Sequence, residues 1–192
     1  MNKIILSVVI PSYKDPLLKK TINDLLKNSE LNDDELEIVA VLDGYWVKSE
    51  DIVNDKRVKY IHLGKNRGMR GAINAGVLLS KGEYLMRADE HQMFGKGYDK
   101  ILTGCCEDNW IVTPRRYCLD VEKWEIMEDI PPVDFAVLKI GKAGKNKDFE
   151  DHPGENEYIE KFSGVAKPGL DGLLIQESMA MQGSCWLMKR SW

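Results

Sequence analysis

A chain of 192 residues with 43% hydrophobic and 30% charged side chains is long enough to bury one substantial core. The formal net charge of −4 gives no general attraction to nucleic acid or an anionic membrane, and no apolar run reaches the roughly 18 to 20 residues of a membrane span. The four cysteines form no C-x-x-C pair, which favours reduced thiols over a disulfide framework. We therefore expect a cytoplasmic protein, with peripheral membrane association as the alternative.

The first half of the chain alternates strand and helix patterns. An apolar run at 4–10 is typical of a strand covered on both faces, and Asp15 is expected to cap the following helix with Pro16 at its first position. This alternation predicts an α/β fold with a mostly parallel central sheet, flanked by helices and joined by right-handed crossovers. The predicted strands are 4–10, 37–42, 58–63, 84–88 and 110–114, and the predicted helices are 17–26, 68–80 and 98–106.

The pattern changes after about residue 117. The segment 141–154 is rich in turn formers and charge, and a long stretch of this kind is often functional. Residues 173–181 fit a helix or an extended segment, and 185–188 is a short apolar run that can return to the sheet. A basic cluster is interpreted as a solvated loop, with an acceptor-binding loop for a polyanion as the alternative; it comprises Lys139, Lys142, Lys145 and Lys147.

Polar residues follow the ends of four successive predicted strands. Because the carboxyl ends of parallel strands line one crevice, these residues are expected to lie together. A carboxylate such as Asp43 can accept hydrogen bonds from a base or a ribose, Tyr13 can lie against a base, and Arg67 or Arg70 can pair with phosphate oxygens. Trp46 follows the Asp43 turn and is a candidate for the donor pocket, with a purely structural role as the alternative, whereas Tyr13 could instead be a rim residue without stacking.

Asp89 and His91 follow the fourth predicted strand and are two residues apart. In extended geometry such side chains point the same way, so one carboxylate and one imidazole could hold a single divalent cation beside a diphosphate. A solvated surface turn is the alternative for this pair taken alone. A simple turn is likewise the alternative for Asp43 and Gly44.

In joint order and spacing, these segments resemble the family-2 type glycosyltransferases with the GT-A fold. The resemblance implies transfer of a sugar from a nucleoside-diphosphate sugar, and it is strong from residue 4 to about 117. It implies substrate contacts that include Pro11, Gly44, Asn66, Gly68 and Asn74, and it places Gly183 near the donor sugar. The matching segments are 7–13, 41–44, 66–68, 71–76 and 81–84, followed by Asp89-x-His91 and 182–185.

Most family members carry a second aspartate where this chain has His91. The Asp-x-His variant resembles the polypeptide N-acetylgalactosaminyltransferases, which implies a UDP-sugar and manganese, with magnesium as the alternative ion. Mixed oxygen and nitrogen ligands also favour manganese on chemical grounds. A hexosyl- or N-acetylhexosaminyltransferase is therefore expected, with Asp89 as a catalytic residue.

One GT-A domain is expected over 1–192, with a nucleotide-sugar-binding half at 1–117 and a variable acceptor-side half at 118–192. Relatives continue beyond the region of Gly183, so the chain is expected to be either truncated at its C-terminus or a naturally short enzyme. Glu177 is the late carboxylate proposed as a catalytic base, and His152 is a conceivable further metal ligand. The acceptor is open among a glycan, a lipid-linked sugar, a protein and DNA, and so is the oligomeric state.

Two rival functions remain. A non-catalytic nucleotide-sugar-binding module would bind the donor without turnover. A sugar-nucleotide pyrophosphorylase would want a Gly-rich, Arg-containing loop after the first strand, and the segment 12–15 is not such a loop.

Overall fold

The computed structural model describes residues 3–130, 132, 137–140, 159–163 and 184–191. The chain divides into two compact units, of which the first comprises 1–114, 119–125 and 183–192 and the second comprises 115–118 and 126–182. In the part of the chain that the structure describes, no helix is both long and apolar enough to cross a membrane. The functional division predicted at residue 117 stays a prediction.

The first unit alternates strands and helices as predicted. Its 3₁₀ helix is Ser49–Asp51. Its α-helices are α1 (Leu18–Asn28), α2 (Gly68–Leu79) and α3 (Tyr98–Cys105). The strands among the described residues are β1 (Leu6–Ser12), β2 (Leu36–Asp43), β3 (Val58–Leu63), β4 (Tyr84–Ala88), β5 (Ile111–Val112), β6 (Leu119–Asp120), β7 (Glu125–Ile126), β8 (Val137–Ile140), β9 (Ile159–Ser163) and β10 (Cys185–Lys189).

Six strands form the central sheet in the order β3-β2-β1-β4-β10-β5. The strands β3, β2, β1 and β4 are mutually parallel, whereas β10 runs antiparallel to both β4 and β5. Consecutive parallel strands joined through helices give a mixed α/β architecture. The predicted fold class, a mostly parallel sheet flanked by helices, is confirmed.

The sheet is covered on both faces, because every residue of β1 and β2 is buried. Alternate residues of a strand point to opposite faces. Val8 and Ile10 pack with α1 and α3 in the larger core cluster, and Val9 packs with Val41 and the α2 residue Ala72 in the smaller one. Because both faces of these strands are covered, the polar residues that follow β1 and β2 reach solvent at the edge of the sheet formed by the carboxyl ends of the strands.

The helix α2 lies close to the sheet because Gly76 has no side chain. A Cβ built at Gly76 would lie 2.4 Å from Val9 Cγ1 and 3.0 Å from Val41 Cγ2. This close approach brings the first turn of α2 against the carboxyl ends of β1 and β2.

A buried carboxylate fixes the connection from α2 into β4. Glu37 accepts hydrogen bonds from Ser7 Oγ at 2.6 Å, from Lys59 Nζ and from the Lys81 N–H, and Ser7 Oγ in turn accepts the Gly82 N–H at 2.7 Å. Burial raises the pKa of Glu37, but the hydrogen bonds from Lys59 and Ser7 outweigh it, and the pKa lies below its ordinary value. The ionised carboxylate therefore ties the start of β4 to β1 and β2.

The helix cap predicted at Asp15 is wrong in position. The helix α1 begins at Leu18, so Pro16 lies before it, and Leu17 occupies the cap position without a side-chain hydrogen bond. Asp15 Oδ1 instead accepts the Leu17 N–H at 2.7 Å in the preceding turn. An aspartate carboxylate commonly bonds the backbone two residues on, and that turn competes with the helix for these residues.

The second unit contains a strand pair that the sequence did not predict. The strands β8 and β9 pair antiparallel, with a register irregularity between Val137 and Lys139. The return of the chain to the central sheet at β10 is confirmed, and β10 lies beside β4. The predicted segment at 173–181 and the basic residues beyond Lys139 lie outside the described residues.

The close approach at Gly76 predicts opposite effects for two Gly→Ala changes. Gly76→Ala should lower the free energy of unfolding by about 1–3 kcal/mol, because valine side chains are stiff and the helix must move off the sheet. Gly104→Ala in α3 meets nothing within 4 Å and should be neutral or stabilise by about 0.5–1 kcal/mol through helix propensity. Urea unfolding measures both, and equal effects would contradict the packing role.

Candidate functional site

A cavity of about 320 Å³ lies at the carboxyl ends of β1, β2 and β4, beside the first turn of α2. This is the edge at which an open α/β sheet binds its ligand. The predicted site residues that line the cavity are Pro11, Tyr13, Asp43, Asn66, Gly68, Asp89 and His91. Further lining residues, which the sequence analysis did not assign to the site, are Ser12, Met69, Ala72 and Glu90.

Asp43 is buried and is held by backbone. Its Oδ1 accepts the Arg67 N–H at 2.7 Å, which ties the end of β2 to the loop after β3. Gly44 has a φ of +78°, and a Cβ there would lie 2.3 Å from the backbone nitrogen of Asn66. Only glycine allows this approach, so the turn fixes Asp43 before any ligand arrives.

Asp89 lies in the turn directly after β4. Its Oδ1 accepts a hydrogen bond from Arg87 Nη2, and its N–H donates to Gln92 Oε1 at 2.9 Å. Gln92 Nε2 also donates to the Ser184 carbonyl at 3.1 Å, which fastens the turn to the chain before β10. Burial raises the pKa of Asp89 above its ordinary value, and the charge of Arg87 opposes this only in part.

His91 lies at the mouth of the cavity, with about half of its side chain exposed. Its Nδ1 lies 2.9 Å from Asp15 Oδ2. A carboxylate on one ring nitrogen is the usual way in which proteins orient the other nitrogen of a metal-binding histidine. Asp15 therefore serves the site rather than the helix cap that the sequence suggested.

Glu90 is a cavity residue that the sequence analysis missed. The strand β4 ends at Ala88, so the alternation that predicted a common direction for Asp89 and His91 does not extend to them. In the turn, Glu90 also faces the cavity, and its Oε2 accepts the Tyr13 N–H at 3.0 Å. Burial raises the pKa of Glu90 above its ordinary value, against a hydrogen bond with Ser12.

Tyr13 keeps an exposed ring at the rim of the cavity. Its ring meets Tyr45 edge-on at a centroid distance of 6.3 Å, and the Tyr45 hydroxyl is hydrogen-bonded to Ser12 Oγ. Lys14 Nζ also lies over this ring, 5.1 Å from its centroid. The neighbours of the ring are thus an edge-on tyrosine and a lysine at the cavity rim.

Several predicted site residues do not line the cavity. Trp46 is 74% exposed and stacks on His62 at a centroid distance of 3.7 Å. Those away from the lining are Gly44, Trp46, Arg67, Arg70 and Asn74, of which Gly44 and Arg67 contribute through backbone contacts with the cavity walls. Glu177, Gly183 and His152 lie outside the described residues. Side-chain roles for this set stay predictions.

Within 3–130 and the other described segments, no group of three or more His, Cys, Asp or Glu side chains is placed to hold a metal. Asp89 and His91 alone would give a cation two protein ligands. Such a site is incomplete by itself, and it suits an ion that takes its remaining ligands from phosphate and water.

Comparison with known proteins supplies the family. The family model described as "Glycosyl transferase family 2" matches residues 7–192. A dolichyl-phosphate beta-glucosyltransferase of Dictyostelium discoideum is 28% identical over 102 aligned residues, and the match covers 46% of this chain and 31% of that protein.

Two solved structures are similar to part of this chain. S. aureus TarS 1-349 has a TM-score of 0.47 and 22% identity, over 53% of this chain and 32% of that one. The mannosyltransferase PcManGT from Pyrobaculum calidifontis, solved in complex with GDP-Man and Mn²⁺, has a TM-score of 0.40 and 17% identity, over 50% of this chain and 30% of that one. The chain spans about a third of the length of these relatives. Because the family model matches from residue 7 to residue 192, this protein belongs to glycosyl transferase family 2.

Proposed function

We propose that the protein transfers a sugar from a nucleoside-diphosphate sugar, with UDP as the preferred nucleotide, to an acceptor in a reaction that needs a divalent cation. One observation carries this proposal. A fixed carboxylate at Asp43 and an oxygen–nitrogen pair at Asp89 and His91 wall the same cavity, so one ligand can meet both. A nucleoside joined to a diphosphate has groups that suit both ends.

Asp43 is assigned to the nucleoside end. One of its oxygens is used by the Arg67 N–H, which leaves the carboxylate charge and the other oxygen to accept from a base N–H or ribose hydroxyls. Tyr13 supplies a ring beside it on which a base can lie. Glu90 closes the wall between Tyr13 and the Asp89 turn through its bond to the Tyr13 N–H.

Asp89 and His91 are assigned to the diphosphate end, where they would hold manganese, or magnesium in its place. The oriented imidazole and the half-buried carboxylate fit such a cation, with the diphosphate completing its ligands. The bound cation would stabilise negative charge on the departing diphosphate. The specific ion and the Asp-x-His assignment rest on this chemistry and on the sequence resemblance.

In the reaction, a bond forms between an acceptor nucleophile and the anomeric carbon of the sugar. The bond from that carbon to the diphosphate oxygen breaks, and its electron pair remains on the nucleoside diphosphate. The acceptor loses a proton to a base, for which Glu177 stays the prediction from sequence. A hexose or an N-acetylhexosamine is the proposed sugar, and the acceptor is left open.

A panel of nucleotide sugars tests the proposal directly. UDP-hexoses, UDP-N-acetylhexosamines and GDP-mannose are each added with and without Mn²⁺, and the melting temperature is followed. A donor present at about 100 times its dissociation constant should stabilise the fold by about 2.7 kcal/mol, which is a shift of several degrees. Failure of every donor to shift the melting temperature would refute donor binding, and a shift without transfer or hydrolysis would support the non-catalytic alternative.

Asp89→Asn should lower metal-dependent donor hydrolysis by about 100-fold, because the amide replaces the charged ligand at nearly the same size. The exposed carboxylate at Asp51 gives the matched control, since Asp51→Asn makes the same chemical change at a residue that does not line the cavity. Mn²⁺ titration by electron paramagnetic resonance gives a second readout. Equal activity and Mn²⁺ affinity in the two variants would remove Asp89 from the site.

Asp43→Asn should weaken uridine and UDP binding alike, by roughly 10-fold to 100-fold as expected for a lost charged acceptor. The asparagine carbonyl can still accept the Arg67 N–H, so the loop should keep its place. Isothermal titration calorimetry measures both ligands, with the exposed change Asp51→Asn as the control. A selective loss of UDP binding, with uridine unaffected, would move Asp43 from the nucleoside to the diphosphate.

A further inference from the structure

A buried arginine lies behind the cavity wall. Arg87 belongs to β4, where its neighbours Leu85, Met86 and Ala88 are apolar, and it is only 3% exposed. Burying a guanidinium in a sheet is costly unless its charge and its N–H groups find partners. Its place in the strand therefore requires an explanation.

The guanidinium is only partly satisfied. Nη2 bonds to Asp89 Oδ1 and lies 3.1 Å from Met69 Sδ, whereas Nε and Nη1 are buried with no hydrogen-bond partner among the described residues. An unsatisfied buried donor costs about 1–3 kcal/mol, and native structures rarely keep one without a functional reason. Arg87 therefore has two N–H-bearing nitrogens, Nε and Nη1, that can donate to a further acceptor.

The contacts of Arg87 point to the cavity. Asp89 and Met69, which the guanidinium touches, both line the cavity, so the group lies one side chain behind its wall. Met69 is 55% exposed and unbranched, and it can move aside without disturbing the core. A rotation of the Met69 side chain would therefore expose Arg87 to the cavity.

The same wall contains the N-terminal turn of α2. Gly68, Met69 and Ala72 line the cavity, and the first turn carries no acidic residue. Asn66 Oδ1 accepts the Gly68 N–H at 3.1 Å, and the N–H groups that follow, together with the helix dipole, favour an anion. Arg87 and the helix end thus direct positive charge to the same part of the cavity.

From this juxtaposition we infer that Arg87, together with the first turn of α2, binds the diphosphate of the donor and stabilises it as it leaves. The inference rests on the proposed function and adds a residue to it. Asp89 is the carboxylate that neutralises Arg87 in the structure. If Asp89 binds a cation, it neutralises Arg87 less, so the guanidinium then needs a second anion. As the sugar–oxygen bond breaks, the electron pair stays on the diphosphate, and Arg87 meets the added negative charge.

Binding of UDP and GDP is compared with binding of uridine and guanosine, by calorimetry without metal and with Mn²⁺. Arg87→Met removes the charge at similar length and should weaken diphosphate binding about 10-fold or more, as for lost hydrogen bonds to a charged group. Binding of the nucleosides, which lack the diphosphate, should change by less than about twofold on the same scale. Arg57→Met, which removes an arginine paired with Asp33 and Asp55, is the matched control and should leave both ligands unaffected.

Arg87→Lys keeps the charge and carries the test if Arg87→Met does not fold, as judged by circular dichroism and thermal melting. Lysine lacks the planar guanidinium that donates two hydrogen bonds at once, so diphosphate binding should fall several-fold while nucleoside binding stays unchanged. Unchanged metal-free diphosphate binding with a lower affinity for Mn²⁺ alone would overturn the inference and leave Arg87 only to orient Asp89. A wild-type protein that binds neither nucleoside diphosphate would instead overturn the proposed function itself.

Discussion

The parallel pairing of β1 with both β2 and β4 is the constraint on which the rest of this protein depends. Leu6 of β1 is opposite Leu36 on one side and Tyr84 on the other, so the three strands run together and stop at one edge. Apolar residues on both faces hold them there, and a one-residue slip would exchange the two cores. The register therefore decides which polar residues meet in the cavity.

Backbone contacts then give the cavity its shape. The approach of Gly44 to Asn66 and the bond from the Arg67 N–H to Asp43 place the Asp43 carboxylate without help from a ligand. On the other side, Gln92 fastens the Asp89 turn through its contact with the Ser184 carbonyl. Groups held in this way pay little ordering cost on binding, which is the physical advantage of a site built at the ends of strands.

Charge is distributed along the cavity in a manner that suits one kind of ligand. Asp43, Asp89 and His91 all line the cavity, the buried Arg87 is bonded to Asp89 behind the wall, and Asp43 accepts the N–H of Arg67, the cap residue of α2. The proposed nucleoside diphosphate with a cation would bring both signs of charge to these groups, whereas a neutral sugar would bring neither. Membership of glycosyl transferase family 2 agrees with this arrangement and leaves sugar and acceptor to experiment.

The sequence alone determined the parallel strands of the sheet and most of the cavity lining. Buried parallel strands require continuous apolar runs, and the polar residues that follow each run can be recognised in the sequence. The strands predicted at 58–63 and 84–88 have those bounds in the structure, and seven of the predicted site residues line one cavity, namely Pro11, Tyr13, Asp43, Asn66, Gly68, Asp89 and His91. Only the tertiary structure showed the parts that depend on distant contacts. Asp15 pairs with His91 rather than capping α1, Glu90 turns inward because β4 ends before it, and Arg87 lies against Met69. Periodicity predicts how a residue lies within its own helix or strand. These three features instead depend on how the strands and helices pack, because packing brings residues from different parts of the chain together.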